Sequence, residues 1–267
     1  MGAPVLYNPG MTWTPLETDD GSFTLVNADL NEACHSRAGA WTEACERYAA
    51  ECKLAERARE MSTVSLLDVG TGLGLNLAAA LAALEGTDAR LDAVSLEIDP
   101  DVIARALELQ HVAPHAPECY AEIAAVLRRA LDDPHAARAG LEFGRGHRLV
   151  LCIGDGRETL PALDESYVFD AVFLDPFSPG KDPALWAPEF LGEVARRLAQ
   201  GGRLSTYSAS LAVRAGLASA GLEVGPGAHL GHKAAGTLAA RGIPLTPFDP
   251  RTTRKLARRV ARAAEGE

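Results

Sequence analysis

A glycine-rich loop follows the first long apolar run of the chain. Its glycines occupy every second position of Gly70-Thr71-Gly72-Leu73-Gly74, between Asp68 and Asn76. Glycine lets a backbone turn tightly and approach a ligand with no side chain in between. A dinucleotide loop would be spaced G-x-G-x-x-G. By contrast, G-x-G-x-G after an acid suits S-adenosylmethionine, which carries an amino acid and a sulfonium cation in place of a pyrophosphate. We predict that the donor is bound by Asp68, Gly70, Thr71, Gly72, Gly74 and Asn76; a tight turn without a ligand is the alternative.

Acidic residues follow the next two apolar runs. Glu97 lies roughly twenty residues beyond the glycine loop, where a carboxylate accepts hydrogen bonds from both ribose hydroxyls. Asp99 is a second candidate for that role, and a solvated acidic loop is the alternative for both. Asp155 and Gly156 follow the third run. We expect them to hold the adenine ring through the carboxylate and the backbone amides, although Asp155 also suits a helix N-cap.

The segment after the fourth apolar run is the most specific in the chain. It is Asp175-Pro176-Phe177-Ser178-Pro179-Gly180-Lys181-Asp182-Pro183, followed by Trp186. Asp175 can hold an accepting amine and take its proton, and Phe177 can form an apolar or stacking wall. The flanking prolines stiffen the loop, which lowers the entropy cost of that geometry. We predict Asp175 and Phe177 as the catalytic residues; a proline-rich loop with a capping aspartate is the alternative.

Alternating strands and helices would position these loops. A turn and short strand are predicted at 20–26, and longer strands at 64–69, 91–98, 148–153, 169–174 and 203–207, the last introduced by the turn Gly201-Gly202. Helices are predicted at 43–61, 75–84, 100–110, 119–131, 188–198 and 211–220. This alternation predicts an α/β fold with right-handed crossovers and ligands beyond the carboxyl ends of the strands. We expect a Rossmann-like class I methyltransferase domain with a mainly parallel seven-stranded sheet and helices on both faces.

Composition and charge limit the class of protein. The 267 residues are 47% hydrophobic and 23% charged, which suits one globular domain with additions. We expect an N-terminal extension of short strands and a helix at 1–61, the methyltransferase domain at 62–245 and a basic tail at 246–267. The net charge of −10 argues against a broadly basic nucleic-acid binder. The tail is the exception, because six basic residues and no acid lie between Arg251 and Arg262.

Several other classes of protein and site are not indicated. The five cysteines form no C-x-x-C pair and the seven histidines lack metal-ligand spacing, so we expect neither a disulfide framework nor a metal site. No apolar run is long enough to cross a membrane. Residues 1–10 lack the pattern of a signal peptide, so we expect a cytoplasmic protein without membrane contact.

The glycine loop and the Asp175 segment together resemble the methyltransferase module of the MnmC-type tRNA-modifying enzymes. Upstream, the segments 20–25 (Asp-Gly-Ser-Phe-Thr-Leu) and 35–44 (His-Ser-Arg-Ala-Gly-Ala-Trp-Thr-Glu-Ala) are also similar to that family. The likeness extends from about Asp20 to Arg241.

The resemblance implies methyl transfer from S-adenosylmethionine to the aminomethyl group of a wobble uridine in the tRNA anticodon loop. It implies a stand-alone methyltransferase without the flavin oxidase domain of the bifunctional members, which acts after a separate aminomethyl-forming enzyme. His35 and Ser36 would lie near the amino-acid end of the donor or near the substrate mouth, although His35 alone also suits an ordinary strand residue. Lys181 and Trp186 would contact the substrate. The predicted stacking surfaces for the base are Phe177, Trp186 and Tyr207.

Other functions remain open from the residues. They are a small-amine or protein methyltransferase, a spermidine-synthase-like aminopropyltransferase, and a donor-binding regulatory protein without activity. The basic tail suits contact with RNA phosphates, and a solvated helix that ends the chain is the alternative.

Overall fold

The computed structural model describes residues 12–230 and 235–265, and the expectation for residues 1–10 therefore lies outside the described residues. The strands are β1 Trp13–Glu17, β2 Phe23–Asn27, β3 Glu32–Ala33, β4 Thr63–Val69, β5 Arg90–Glu97, β6 Leu141–Phe143, β7 His147–Ile153, β8 Phe169–Leu174, β9 Leu198–Thr206, β10 Glu223–Pro226 and β11 Thr237–Ala240. The α-helices are α1 Ala40–Glu43, α2 Leu54–Glu60, α3 Leu75–Ala83, α4 Pro100–Ala106, α5 Pro117–Asp132, α6 Pro134–Ala139, α7 Gly156–Thr159, α8 Pro188–Arg196, α9 Leu211–Ser219 and α10 Pro250–Glu265. A π-helical segment, Ala44–Ala50, and a 3-10 helix, Ala184–Trp186, complete the described helices.

The main sheet has the order β10-β11-β9-β8-β4-β5-β7-β6. Neighbours from β9 to β7 pair in parallel, whereas β10, β11 and β6 pair antiparallel at the two ends. The α/β class and the mainly parallel sheet are confirmed. The predicted count of seven strands was wrong, since the described sheet has eight. Strand β6 has only three residues, too few to leave a periodic pattern in the sequence.

Both faces of the main sheet are buried, as the predicted helices on both faces require. Along β4, Leu66 belongs to one hydrophobic cluster and the next residue, Leu67, belongs to the other. Successive side chains of a strand point to opposite faces, so parallel strands covered on both sides are continuously apolar. Helices α3 and α5 contribute to the first cluster, and helices α8 and α9 contribute to the second.

Two boundaries differ from the sequence predictions. The single helix predicted at 43–61 is interrupted before α2, where Lys53 has a left-handed backbone with φ of 57°. No glycine or proline marks that break. The predicted turn Gly201-Gly202 lies inside β9 instead, where Gly201 has φ of 77° and the pairing with β8 is irregular. A bulge of this kind places one residue in the left-handed region of the backbone, which glycine adopts without strain, as it does in a turn.

The N-terminal strands form a separate three-stranded antiparallel sheet in the order β1-β2-β3. The strand predicted after the turn at Asp20 is confirmed as β2. Leu25 of this sheet and Tyr48 of the π-helical segment are fully buried in the first hydrophobic cluster, together with residues of the main sheet. The extension therefore packs on the core, and β3 reaches the carboxyl ends of the main strands. Among the described helices, none has the length and apolar character that a bilayer crossing requires.

Candidate functional site

A cavity of about 600 Å³ opens where the central parallel strands end. Its walls come from the loops after β4, β5, β7, β8 and β9, and from the N-terminal sheet. Of the predicted site residues, the cavity is lined by Gly70, Gly72, Glu97, Asp155, Gly156, Asp175, Phe177, His35 and Ser36. The lining does not include Asp68, Thr71, Gly74, Asn76, Lys181 and Trp186. Parallel strand ends meet at one edge, which explains why loops distant in sequence form a single site.

The glycine loop reaches the cavity through its first two glycines. Gly70 has φ of 95°, and a Cβ there would lie 2.8 Å from the carbonyl oxygen of Asp175. Gly72 has φ of 51° and donates its N–H to Oε2 of Glu97 at 2.9 Å. A Cβ on Gly72 would meet only Cys34, at 3.9 Å, and would otherwise occupy cavity space. Both positions therefore require glycine, one for loop packing and one for close approach of a ligand.

Gly74 and Thr71 serve the scaffold. A Cβ on Gly74 would lie 2.8 Å from Leu127 of α5, so this glycine permits helix packing away from the cavity. The Thr71 hydroxyl lies 2.6 Å from that of Ser95, which donates to Oδ2 of Asp68 at 2.7 Å. Neither residue lines the cavity, and donor binding by Thr71 and Gly74 stays a prediction.

Asp68 is fully buried behind the loop. Burial raises the pKa of Asp68 to about 7, and the hydrogen bond from Ser95 opposes that shift. Its Oδ1 and the Oδ1 of Asn76 are buried without a hydrogen-bond partner among the described residues. Asp68 does not line the cavity and accepts from Ser95 behind the loop, so donor binding by Asp68 stays a prediction.

Glu97 combines burial with backbone hydrogen bonds. Its Oε2 accepts from Gly72 and its Oε1 accepts from the N–H of Asp99 at 3.0 Å. Burial raises the pKa of Glu97 to about 7, and the two backbone donors moderate the rise. Two carboxylate oxygens offer about four acceptor sites, so Glu97 keeps capacity for the hydroxyls of a ligand.

Asp99 is committed elsewhere. Its Oδ2 accepts from Nε1 of Trp13 at 2.9 Å, and its Oδ1 caps α4 through the N–H of Asp101 at 2.9 Å. Asp99 lines the cavity beside Glu97, and its hydrogen bonds fasten β1 to the main domain and cap α4.

Asp155 caps α7 and lines the cavity. Its Oδ1 accepts from the N–H of Arg157 at 2.8 Å, and its carboxylate forms an ion pair with the Arg157 guanidinium. These hydrogen bonds lower the pKa of Asp155. The N-cap role is present, and Asp155, whose side chain is partly exposed, also lines the cavity beside Gly156.

Asp175 is held at both carboxylate oxygens. Its Oδ1 accepts from the Tyr48 hydroxyl, and its Oδ2 accepts from Nδ2 of Asn76 at 2.8 Å. Burial raises the pKa of Asp175 well above its usual range, and the negative charge of Glu43 raises it further. Asn76, predicted to bind the donor, therefore orients the carboxylate that faces the cavity.

The loop after Asp175 is anchored at three points. Ser178 donates its N–H and hydroxyl to the two oxygens of Glu32, at 2.8 and 2.6 Å. Nε1 of Trp186 donates to the carbonyl of Phe177 at 2.7 Å, and the Tyr207 hydroxyl donates to the carbonyl of Pro176 at 2.8 Å. Trp186 is buried, so it fixes the loop and offers no stacking face to the cavity.

Phe177 stacks against Trp13, with ring centroids 6.1 Å apart and planes 20° apart. Both rings line the cavity, and Tyr207 lines it as well. The predicted aromatic wall is therefore present at Phe177, with Trp13 as its partner. Lys181 is exposed and lies outside the lining.

His35 and Ser36 line the cavity from the end of β3. His35 is buried. Its backbone N–H donates to Oγ1 of Thr24 at 3.0 Å, and burial lowers the pKa of its imidazole. The N–H of Ser36 donates to Oε2 of Glu43 at 2.7 Å. Glu43 also forms a buried ion pair with Arg47 at 3.1 Å, which compensates its charge next to Asp175.

Sequence reasoning missed the side chains that surround Asp175 and its loop. They are Trp13, Glu32, Glu43 and Tyr48. Glu43 lies in the segment 35–44 that resembles the family, but no spacing links these residues to the Asp175 loop, since Tyr48 lies 127 residues from its partner and Glu32 lies 146 residues from Ser178.

The donor half of the cavity fits S-adenosylmethionine. Gly72 leaves space that a Cβ would fill, and Glu97 presents a carboxylate with free acceptor capacity beside it. Acids at the rim and in the cavity favour a cation. Within the described part of the chain, no cluster of histidine, cysteine and acidic side chains is arranged to hold a metal ion.

Comparisons with known proteins agree with this geometry. A family described as S-adenosyl-L-methionine-dependent methyltransferase matches residues 118–242. The solved structure of MnmC2 from Aquifex aeolicus is 33% identical, with a TM-score of 0.77, over 94% of this chain and 78% of that one.

Two curated proteins are also similar. The tRNA 5-methylaminomethyl-2-thiouridine biosynthesis bifunctional protein MnmC of Ralstonia nicotianae is 35% identical over 231 residues, which are 85% of this chain and 34% of that protein. An uncharacterised protein of Methanocaldococcus jannaschii is 30% identical over 234 residues, which are 87% of this chain and 60% of that protein. The chain therefore spans less than two thirds of either curated relative.

Proposed function

The chain belongs to the MnmC-like family of S-adenosylmethionine-dependent methyltransferases, and from this premise we propose that it methylates the aminomethyl group of a wobble uridine in tRNA. The observation that carries the proposal is Asp175, a carboxylate oriented at both oxygens that faces the cavity beside the ring of Phe177. An amine needs such a partner, because its protonated form has no lone pair to attack with. The names of the similar MnmC proteins specify the nucleoside, 5-methylaminomethyl-2-thiouridine.

We assign the donor to the half of the cavity between β4 and β7. The backbone of Gly70 and Gly72 would lie against its amino-acid end, Glu97 would accept from its ribose hydroxyls, and Asp155 with Gly156 would hold the adenine. When bound, S-adenosylmethionine supplies an electrophilic methyl group on a sulfonium. The residues of the chain need only align acceptor and donor, and such orientation contributes about 7–11 kcal/mol.

Asp175 would bind the aminomethyl group and accept its proton. A carboxyl whose pKa is raised by burial is a better proton acceptor than an exposed one, because catalysis is most efficient when the pKa is near the working pH. Tyr48 and Asn76 leave the carboxylate one orientation, so the amine meets a fixed acceptor. The two donors also stabilise the charged form of Asp175 against the burial that disfavours it.

Phe177 and Trp13 would hold the target base. A wobble uridine lies in a single-stranded loop, where a base can be splayed out and stacked on an aromatic ring. The N-terminal sheet would thereby contribute to acceptor binding, since Trp13 belongs to β1 and Glu32 of β3 anchors the loop that carries Phe177. We place the reaction in the cytoplasm, where tRNA is modified. A separate reaction that forms the primary amine must precede it.

The proposal is tested by incubating the protein with labelled donor and tRNA that carries the unmethylated aminomethyl group, followed by nucleoside mass spectrometry. We expect one methyl group per target nucleoside. The control is the same tRNA already methylated, which should take up no label. Methyl transfer to small amines or to protein but not to tRNA would contradict the proposal, as would transfer of an aminopropyl group from the decarboxylated donor.

A further inference from the structure

The C-terminal helix α10, Pro250–Glu265, has a continuous basic face. Six basic side chains are exposed on it and lie within one side of the helix, at positions that recur every three or four residues: Arg251, Arg254, Lys255, Arg258, Arg259 and Arg262. At 1.5 Å per residue, the row from the first to the last is about 17 Å long. Among the described residues, none of the six forms an ion pair. Their charge is therefore directed to solvent.

The other face of α10 is already used. Thr252, Leu256 and Val260, one turn apart, are less exposed than the basic residues, and α10 packs on α9. A helix that binds a membrane inserts its apolar face among lipids, but here that face packs on the protein. The available surface is the row of cations, which suits a polyanion.

The start of α10 lies near the carboxyl ends of the main strands, where the cavity opens. Asp249 caps the helix by accepting from the N–H groups of Arg251 and Thr252, at 2.9 and 3.1 Å. The guanidinium of Arg214 lies 4.3 Å from the centre of the Phe248 ring. Arg214 belongs to the first half of α9, which begins shortly after Tyr207, a residue of the cavity wall.

The charge of the remaining chain makes such a surface necessary for an RNA substrate. Outside the basic row, the chain carries twenty lysine and arginine residues against 36 acidic ones. The cavity itself presents the carboxylates of Glu43, Glu97 and Asp175. These side chains suit a cationic donor and an amine rather than a phosphate group.

We infer that the basic face of α10 binds the phosphate backbone of the RNA substrate while the target base occupies the cavity. This inference rests on the proposed function, since it takes tRNA as the substrate. Arginine guanidinium groups bind phosphate oxygens in a bidentate manner. The contacts would add affinity and orientation but no base recognition.

The test compares two triple variants that lose the same charge. R254Q/R258Q/R262Q removes half of the basic row and keeps a side chain that favours helix. R128Q/R138Q/R145Q removes three exposed arginines in or near α5, α6 and β6. Strand β6 lies at one end of the main sheet, and β10 lies at the other. Binding of tRNA that carries the aminomethyl group is measured by fluorescence anisotropy over a series of NaCl concentrations, and binding of S-adenosylhomocysteine is measured by calorimetry.

We expect the α10 variant to bind tRNA at least about 10-fold more weakly at low salt. We also expect the slope of log affinity against log salt to fall by about 2, because each lost phosphate contact to a single strand removes about 0.7 from the slope. The control variant should keep the slope of the wild type, and both variants should bind S-adenosylhomocysteine normally.

Equal salt slopes for the two variants would overturn the inference. It would also be overturned if only the wild type bound phosphatidylserine vesicles while tRNA binding was the same in all three proteins. Single-turnover methylation of the same tRNA by the wild type is measured in parallel. A wild type that binds this tRNA but transfers no methyl group would contradict the proposed function, whereas equal slopes with normal methylation would contradict only the role of α10.

Discussion

The donor half of the cavity contains Gly70, Gly72, Glu97, Asp155 and Gly156, and the acceptor half contains Asp175 and Phe177 with their supporting side chains. The two halves are built in different ways. In the donor half, the side-chain hydrogen bonds of the proposed binding residues are short-range in sequence, since Glu97 binds Gly72 25 residues away and Asp155 binds Arg157 two residues away. The acceptor half joins residues that are far apart, since Tyr48 lies 127 residues from Asp175 and Glu32 lies 146 from Ser178. Under the proposed function, donor binding would depend on strand-end loops, whereas acceptor binding would also depend on the N-terminal strands. Changes in the two halves should therefore have separable effects.

The largest effect is expected in the acceptor half, at Asp175. Asp175→Asn keeps the size of the side chain and its contact with Tyr48 but removes the negative charge. The single-turnover rate of methylation should fall by about 100-fold or more, within the range of a lost general base. Calorimetric titration with S-adenosylhomocysteine should show an unchanged affinity, because the donor half is intact. A loss of donor affinity as large as the loss of rate would mean that the two halves are not separable.

Glu97→Gln is the corresponding change in the donor half. The loss of charge-assisted hydrogen bonds, each about 1.5–3 kcal/mol, should weaken S-adenosylhomocysteine binding by about 10- to 100-fold. Because the pKa of Glu97 is about 7, its carboxylate is lost as the pH falls below that value. Wild-type affinity should therefore fall below pH 7, whereas the affinity of the variant should depend less on pH. The same pH dependence in both proteins would remove Glu97 from donor binding.

Tyr48→Phe probes the contact between the π-helical segment and Asp175 in the acceptor half. Removal of the hydroxyl should slow methylation by about 10-fold, the effect of one hydrogen bond to a charged group. The hydroxyl lowers the pKa of Asp175 against its burial, so the variant should need a higher pH to reach its full rate.

A matched control for that change is Tyr120→Phe, which removes a hydroxyl that donates to the carbonyl of Leu73 at 3.2 Å. It should leave the pH profile of the rate in place. If Tyr48→Phe also leaves the profile unshifted, Tyr48 has only a packing role.

The smallest effect on function is expected at Asp68, which lies behind both halves. Its pKa in the folded protein is about 7, above the usual value of 3.8, so folding retains a proton that the unfolded chain loses. The free energy of unfolding should therefore fall as the pH rises from about 4 to 7. Asp68→Asn should stabilise the protein by about 1–3 kcal/mol at pH 8 and much less at low pH.

Urea unfolding at the two pH values measures that difference, with Asp92→Asn as a partly exposed control on the neighbouring strand. Donor affinity should not change, because Asp68 does not line the cavity. A marked loss of donor affinity would restore Asp68 to the donor-binding residues that the sequence pattern indicates.

The same contrast explains how far the sequence could predict the site. The central strands, Gly70, Gly72, Glu97, Asp155 and Asp175 follow from apolar runs that end in glycines and acids, because strand ends meet at one edge. The hydrogen-bond partners of these residues cannot be predicted from the sequence in this way. Tyr48 carries no signal in the sequence, and the motif that includes Asn76 predicts a donor contact and not the hydrogen bond to Asp175 that tertiary packing creates. Trp186 was misplaced because a conspicuous aromatic next to an active loop suits both a stacking surface and a buried anchor.

The pH dependence of methylation by the wild type and Asp175→Asn tests the central claim most directly. Single-turnover rates on tRNA with the aminomethyl group are measured with saturating donor over a pH series. If Asp175 holds the amine and takes its proton, the rate deficit of the variant should be largest near neutral pH. The deficit should shrink as the pH rises, because solvent then supplies more neutral amine. A variant with a near-normal rate at neutral pH, or a deficit that does not change with pH, would contradict the role of Asp175 as proton acceptor.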